Sequence, residues 1–259
     1  FVTQTTITFS QVQAFVINLD HSTERLAAIQ KQAEAVELPL TRVPGVLGRA
    51  VDLANTPAVD VRGYALRHGR NISMNEVGCY LSHLRALDAF LASGAAFGII
   101  LEDDAGLPAG YLDLIQRLLE KQHAWDIVKL SAFHSGTPLL IEPIAQGQSL
   151  GIPLSRHMNA NNVLYSRAAA EKMVRALTPM QLPLGQALER AWLFGLRLRV
   201  VTPSPCPPDT GHASTIADSV RYHLVWFRRL PCMGFRLVTE LSRFALGIAH
   251  YLRYKLTGF

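Results

Sequence analysis

Residues 95–104 read AAFGIILEDD, an apolar run that ends in three consecutive acids. A run without polar alternation predicts a central strand that is covered on both faces, as in a mostly parallel α/β sheet. Ligands of open α/β sheets lie beyond the carboxyl ends of the strands. The sequence therefore predicts that Glu102, Asp103 and Asp104 stand at a ligand-binding edge. The alternative is a solvated loop that happens to be acidic.

Strands and helices alternate along the rest of the chain. We predict strands at 13–19, 126–131, 162–165 and 196–202, and helices at 22–36, 73–93, 111–122, 167–177 and 184–194. Residues 38–69 and 135–156 contain many Gly and Pro residues, and we predict irregular loops there. The alternation predicts an α/β layer fold with one nucleotide-binding domain over residues 1–216. A separate segment follows at 217–259.

The composition indicates the redox environment of the protein and its relation to membranes. The three cysteines, Cys79, Cys206 and Cys232, are widely spaced, so neither a disulfide framework nor a zinc site of the Cys-x-x-Cys type is indicated, and a reducing cytosol is expected. The first eight residues lack the pattern of a secretory signal. No apolar stretch approaches the roughly 20 residues that a membrane span needs.

The positive charge is concentrated in the C-terminal segment. Residues 217–259 hold seven bases and two acids, which accounts for the whole net charge of +5. The rest of the chain is neutral, so we expect no nucleic-acid-binding surface spread over the fold. Aromatic residues alternate with the bases, and this predicts a basic amphipathic helix, broken near Pro231, that lies on an anionic membrane surface. The alternative is a helix that packs on the domain with its arginines solvated.

The acidic cluster needs a cationic partner, because adjacent carboxylates repel one another and are costly to desolvate. A divalent cation that bridges to a phosphorylated ligand fits this need, since hard cations take oxygen ligands. If the strand stays extended, Glu102 and Asp104 face one way and Asp103 the other; a turn at Asp103 would change the pairing. Asp104 is the candidate metal ligand, helped by Glu102, while Glu102 or Asp103 holds a sugar or ribose.

Polar residues also surround the end of the first predicted strand. Asn18, Asp20 and Arg25 lie there, and Arg25 falls in the first turn of the next helix, where backbone N–H groups favour anions. A guanidinium at this place suits a phosphate or a base edge. An ordinary surface arginine is the alternative. For His83, in the middle of a helix, the alternative to a binding role is a hydrogen-bonded histidine of the core.

Three blocks of the sequence together resemble glycosyltransferase family 25, the lipopolysaccharide/lipooligosaccharide galactosyltransferase family. They are FVINLDHSTER at 15–25, EVGCYLSH at 76–83 and IILEDD at 99–104, and a looser likeness runs from NVLYSR at 162–167 to about residue 216. The resemblance implies a GT-A type fold and inverting transfer of a sugar, usually galactose from UDP-galactose. It assigns donor binding to residues of the three blocks: Asn18, Asp20, Arg25, Ser82, His83, Glu102 and Asp103.

The resemblance also implies Mn²⁺ or Mg²⁺ held by Asp104 and Glu102, together with the donor diphosphate. The expected acceptor is a glycolipid or oligosaccharide, which places the protein in the cytoplasm, peripheral on the inner face of a bacterial plasma membrane. An inverting displacement needs a base near the acceptor hydroxyl. Glu189, Asp209 and His212 are the candidates. Related sequences tend to carry an acid where this chain has Gly185, and Glu189 lies one helical turn onward.

Other functions fit the same residues. A transferase for a different nucleotide sugar, or for a capsular or protein acceptor, would keep the same donor pocket. A catalytically inactive, membrane-associated module that binds a nucleotide sugar would explain the absence of the expected acid at Gly185. Turnover of a UDP-sugar separates the inactive module from the two enzymes.

Overall fold

One mixed sheet with helices on both faces forms the body of the protein. The computed structural model describes residues 11–131, 136–145, 147–206 and 229–258. Its strands are β1 (Val12–Asn18), β2 (Leu40–Pro44), β3 (Phe97–Glu102), β4 (Ile127–Lys129), β5 (Pro138–Ala145), β6 (Gln148–Pro153), β7 (Asn162–Ser166) and β8 (Leu198–Thr202). Its α-helices are α1 (Thr23–Ala35), α2 (Val61–His68), α3 (Met74–Ser93), α4 (Tyr111–Glu120), α5 (Arg167–Ala176), α6 (Leu184–Leu188) and α7 (Leu230–Thr257).

The strand order is β2-β1-β3-β7-β4-β8-β6-β5. Only β1–β2, β1–β3 and β4–β8 pair in parallel, whereas β7 runs antiparallel to both of its neighbours and β6 runs antiparallel to both β8 and β5. The prediction of a mostly parallel sheet is therefore wrong. All five residues of β7 are buried. Burial on both faces gives a strand the same apolar pattern whichever way it runs, so the sequence carries no sign of its direction.

The hairpin of β5 and β6 replaces the loop that the sequence predicts at 135–156. Its strands pair antiparallel from Pro138 with Pro153 to Ala145 with Gln148, with two register shifts. The two prolines of β5, Pro138 and Pro143, are compatible with a strand because β5 lies at the edge of the sheet. Proline and glycine therefore mark an edge hairpin here rather than irregular chain.

The predicted central strand is confirmed as β3, whose first five residues are all buried. Ile99 and Leu101 pack on one face of the sheet, in a cluster with Trp125 of the loop after α4. Ile100 packs on the other face with Phe90 of α3. The two faces alternate along β3 as expected for an extended strand. This double packing fixes the position at which the acids leave the sheet.

Helix α7 packs along the domain with an unusual distribution of side chains. Arg243 is buried against the domain, and Arg236 donates from Nη2 to the backbone oxygen of His68 at 2.8 Å. The outward face is apolar, with Leu237 61% and Leu241 62% exposed. The predicted break near Pro231 is absent, because the residue lies in the first turn, where a missing N–H costs little.

The character of α7 thus differs from the predicted basic amphipathic tail, since two of its bases face inward. Pairing with buried acids and backbone oxygens explains this orientation. Within the described ranges, no helix has both the length and the apolar character required to cross a membrane. The first part of the tail, residues 217–228, lies outside the described residues, and the division at residue 216 stays a prediction.

Candidate functional site

A cavity of about 280 Å³ opens at the carboxyl ends of β1 and β3. These strands are parallel neighbours, so the residues that follow them meet at the same edge of the sheet. The loop at 45–49 and one face of α3 complete its walls. Of the residues predicted from sequence to bind the donor or metal, the cavity lining includes Asn18, Arg25, Ser82, His83, Glu102, Asp103 and Asp104.

Arg25 is the cationic partner of the acidic cluster. Its Nη2 lies 2.5 Å from Asp103 Oδ1 and 3.3 Å from Asp104 Oδ2. Strand β3 ends at Glu102 and the chain turns at Asp103, so Asp103 and Asp104 share Arg25 as a partner. Glu102 lines the same cavity but directs Oε1 toward His83. The alternating arrangement, with Glu102 and Asp104 paired, does not hold because the extended backbone stops one residue earlier.

Asn18 holds Asp103 in place. Its Nδ2 donates to Asp103 Oδ2 at 2.8 Å and to the backbone oxygen of Ser22 at 2.9 Å, while its Oδ1 accepts from Arg42 Nε at 3.2 Å. Asp20 lies outside this group: its side chain is 81% exposed and is paired with Arg42. Asn18 is therefore a positioning residue within the cavity, and Asp20 is not part of the cavity lining.

Glu102 faces α3. Its Oε1 lies 3.0 Å from His83 Nε2 and 3.8 Å from Cys79 Sγ. Desolvation acts to raise the pKa of Glu102, but hydrogen bonding to His83 and the charges of His83 and Arg25 outweigh it, so the pKa is lower than usual. Desolvation, reinforced by the charge of Glu102, raises the pKa of the Cys79 thiol well above its usual value.

The negative charges of Asp103 and Asp104 are less well stabilised by their neighbours than the charge of Glu102. Desolvation raises the pKa of Asp103 despite its bonds to Asn18 and Arg25. For Asp104, desolvation and then the charge of Glu102 raise the pKa to about 6, against the opposing effect of Arg25. The carboxylates at this edge therefore carry more negative charge than their neighbours neutralise, and an added cation would stabilise them.

Mn²⁺ or Mg²⁺ fits the donor set on two observations. Carboxylate oxygens of Asp104 and Glu102 line the cavity, and hard divalent cations prefer such ligands. The side chain of Asp104 is 21% exposed, so a cation can reach it from the open side. In addition, Arg25 lines the cavity, and its Nε is buried with no hydrogen-bond partner among the described residues.

Ser82 stabilises the wall of the cavity through its hydrogen bonds. Its Oγ accepts from the backbone N–H of Val46 at 2.7 Å and donates to the backbone oxygen of Gly78 at 2.6 Å. The loop at 45–49 lies so close to α3 that a Cβ at Gly48 would stand 1.7 Å from the backbone oxygen of Met74. Glycine is required at this contact, and Ser82 anchors the loop beside it.

Asn161 belongs to the same edge of the sheet and is missed by the sequence reasoning. Its Nδ2 lies 3.4 Å from Asp104 Oδ1, and its Oδ1 accepts from Ser131 Oγ. Because β7 is antiparallel to β3, the residues before β7 meet the residues after β3. The run NANN at 159–162 is the signal that could have drawn attention to this segment.

Of the three predicted bases, the structure describes only Glu189, and it is not brought to the cavity. Glu189 is 4% exposed and is not part of the cavity lining; it lies 3.2 Å from Arg243 Nη2 and 3.8 Å from Lys129 Nζ. Asp209 and His212 lie outside the described residues. The identity of the base stays a prediction for all three, and the contacts of Glu189 are those of a residue in a buried ionic network.

Comparison with known proteins relates part of the chain to one family. Residues 11–137 match the sequence profile described as "Glycosyltransferase family 25 (LPS biosynthesis protein)". This part of the chain, just under half of its length, is similar to glycosyltransferase family 25. The matched residues include β1, α3 and the acidic cluster after β3, which are the elements that form the cavity. Asn161, Glu189 and α7 lie beyond the match.

Relatives within glycosyltransferase family 25 carry two kinds of name. "Probable inactive glycosyltransferase 25 family member 3" of Rattus norvegicus is 29% identical over 126 residues, 46% of this chain and 22% of the relative. "Procollagen galactosyltransferase 1" of Danio rerio is 24% identical over 124 residues, 45% of this chain and 20% of the relative. The chain thus matches about a fifth of the length of these relatives.

Two solved structures resemble the fold weakly. "Mannosyltransferase PcManGT from Pyrobaculum calidifontis in complex with GDP-Man and Mn2+" aligns over 96% of this chain and 76% of that chain, with a TM-score of 0.39 and 11% identity. A197 from STIV aligns over 82% of this chain and 99% of that chain, with a TM-score of 0.42 and 10% identity. Neither score is high enough to support an argument, so the interpretation of the site depends on the contacts within this chain.

Proposed function

We propose that this chain is a metal-dependent glycosyltransferase with a GT-A-like donor site, which transfers galactose from UDP-galactose to a lipopolysaccharide or lipooligosaccharide acceptor with inversion. The observation that carries the proposal is the cavity at the ends of β1 and β3, where Arg25 meets Asp103 and Asp104. The match of residues 11–137 to glycosyltransferase family 25 supports sugar transfer. The galactose donor is supported by the names of the procollagen galactosyltransferase relatives.

Arg25 is the residue that binds the donor diphosphate. Its Nε is buried and unpartnered within the described part of the chain, while its Nη2 is already placed by Asp103 and Asp104. A guanidinium held through Nη2 by carboxylates keeps further N–H groups that can donate to phosphate oxygens of a ligand in the cavity. As the glycosidic bond breaks, the leaving diphosphate gains negative charge, which a preorganised cation stabilises.

Asp104 and Glu102 are the residues that would hold Mn²⁺ or Mg²⁺. When bound, such an ion supplies Lewis-acid stabilisation of the diphosphate oxygens. Asn18 and Asn161 restrain the aspartates through the hydrogen bonds at 2.8 and 3.4 Å. This restraint keeps the carboxylates aimed into the cavity and lowers the cost of ordering them when a ligand arrives.

A donor screen tests the proposal. We expect calorimetry to show that UDP-galactose binds in the presence of Mn²⁺ and binds much more weakly in the presence of a chelator, since the like charges of the acids and the diphosphate are then not bridged. Release of UDP with a lipooligosaccharide acceptor should accompany binding. Absence of binding of any UDP-sugar at millimolar concentration would refute a donor site in this cavity.

An inactive nucleotide-sugar-binding module is a second candidate. Several relatives bear names that describe them as inactive, and Gly185 stands where the resemblance to the family implies an acid. Calorimetry would then show metal-dependent binding of UDP, while no UDP would be released with lipooligosaccharide, capsular or protein acceptors. This pair of results would favour the inactive module over the enzyme.

The outer face of α7 supports attachment to the anionic inner surface of the plasma membrane, where a glycolipid acceptor would be held. Met233, Leu237, Leu241 and Phe244 are each more than half exposed and lie along one side of the helix. Arg253 and Lys255 are exposed near its C-terminal end. An apolar stripe with cationic residues at one end is typical of helices that lie in the membrane interface.

Replacing Leu237 and Leu241 with glutamate should reduce binding to vesicles that contain anionic lipid by on the order of tenfold or more, because burial of each leucine in the interface contributes roughly 1 kcal/mol or more. Sedimentation with the vesicles measures this. Leu193→Glu, at a leucine outside α7 that is 50% exposed, serves as the control. Equal sedimentation of the double variant and the control would contradict membrane attachment through α7.

A further inference from the structure

Three side chains beside the acidic cluster form a ligand set of a different chemical type. Cys79 and His83 lie one turn apart on the same face of α3, and Glu102 reaches them from the end of β3. One ligand atom from each residue lies within 4.8 Å of the other two. All three residues line the cavity. We propose that Cys79, His83 and Glu102 form a binding site for a thiophilic divalent metal of the zinc class.

The distances agree with a tetrahedral site. Zinc bonds of about 2.0–2.3 Å to nitrogen, oxygen and sulfur place neighbouring ligand atoms about 3.3–3.8 Å apart. In the structure, Glu102 Oε1 lies 3.0 Å from His83 Nε2 and 3.8 Å from Cys79 Sγ. The remaining pair, Cys79 and His83, has its ligand atoms within 4.8 Å of each other. Side-chain adjustments of up to about 1 Å therefore bring the three atoms to the separations of a tetrahedral site.

The type of donor atoms selects the class of metal. A thiolate and an imidazole favour zinc-class ions, whereas Mn²⁺ and Mg²⁺ favour oxygen ligands. Three protein ligands leave the fourth position toward the cavity, which is the arrangement in which zinc keeps an exchangeable ligand. Binding replaces the thiol proton of Cys79, which leaves to solvent, so the sulfur enters the site as a thiolate.

This site differs from the proposed Mn²⁺ or Mg²⁺ site in its ligands and does not depend on sugar transfer. The two sites have Glu102 in common, while Asp104 belongs only to the oxygen site. The alternative for the cluster is a hydrogen-bonded trio in which Cys79 and His83 orient the Glu102 carboxylate and no metal binds.

Titration of the chelator-stripped protein with Co²⁺ distinguishes the zinc-class site from the hydrogen-bonded trio. A bound cobalt thiolate gives a charge-transfer band in the near ultraviolet, and we expect this band to saturate at one Co²⁺ per chain and to disappear when Zn²⁺ is added. Cys79→Ser should abolish the band and weaken Zn²⁺ binding on the order of 100-fold or more. Cys232→Ser, at a buried free cysteine of α7, should leave both unchanged.

The absence of a band in the wild-type protein would overturn the proposal whatever the variants do, and so would a band that persists in Cys79→Ser. His83→Gln provides a second variant with the same expected loss. Asp104→Ala should keep the cobalt band. If the band is present and metal-dependent UDP-sugar binding is absent, the proposed function fails and the zinc-class site stands; the reverse result refutes only the zinc-class site.

Discussion

Replacing Glu189 with alanine is expected to lower the free energy of unfolding by about 3–5 kcal/mol, because it removes the carboxylate paired with the buried Lys129 and leaves the buried Arg243 with Glu240 as its acidic partner. Glu189 Oε1 accepts from the backbone N–H of His157 at 2.6 Å and lies 3.8 Å from Lys129 Nζ; Oε2 lies 3.2 Å from Arg243 Nη2. Lys129 and Arg243 are 1% and 6% exposed. Desolvation already lowers the pKa of Lys129 to about 8, even with Glu189 present.

Urea unfolding followed by circular dichroism measures the free energy of unfolding of Glu189→Ala and of the wild type. Glu171→Ala is the matched control, because Glu171 makes an exposed pair with Arg167 at 3.5 Å and its removal should cost less than about 1 kcal/mol. Glu189→Gln keeps an acceptor for the backbone N–H of His157, so its loss of unfolding free energy should lie between those of Glu189→Ala and Glu171→Ala. A Glu189→Ala variant that is as stable as the control but catalytically dead would instead support the role of general base that the sequence predicts.

The ionic network of Glu189 also shows why its place could not be predicted. Lys129 is the last residue of the short strand β4, and Arg243 lies 54 residues further along the chain than Glu189. No local pattern links three such residues, because the contact depends on how α7 packs against the sheet. From sequence alone, Glu189 is an acid near Gly185, and a catalytic interpretation is as natural as a structural one.

The acidic cluster was more predictable, because its signals are local. A buried strand and the acids that follow it are contiguous, and Arg25 lies at the start of the helix after the neighbouring strand. The rule that ligands meet the carboxyl ends of strands then brings them together. Asn161 escapes the rule, because it precedes β7, and the sequence of that fully buried strand does not indicate its antiparallel direction.

The C-terminal helix shows a different limit of sequence reasoning. Counting bases predicts a cationic outer surface, but a guanidinium that finds a buried acid or a backbone oxygen turns inward, as Arg243 and Arg236 do. The apolar residues are then displaced to the outside, where Leu237 and Leu241 are exposed. Net charge describes the segment as a whole, whereas the direction of each side chain depends on the surface that receives it.

Replacing Asp104 with asparagine is expected to weaken metal-dependent donor binding by on the order of 10²–10³-fold, since a neutral amide neither offsets the charge of the ion nor holds it as a carboxylate does. The same change should leave the fold at least as stable as the wild type. Desolvation and the charge of Glu102 raise the pKa of Asp104 from 3.8 to about 6. A carboxyl with a higher pKa in the folded chain than in the unfolded chain destabilises the fold at neutral pH, and this penalty disappears with the charge.

Calorimetry with UDP-galactose and Mn²⁺, and thermal unfolding with and without both, give the two readouts. Ligands that bind only the folded state should raise the Tm of the wild type and not that of Asp104→Asn. Asp88→Asn, at an exposed acid on α3, is the control and should behave as the wild type in both. A loss of binding together with a marked fall in Tm would show that Asp104 supports the fold itself, and unchanged donor affinity would remove Asp104 from the donor site.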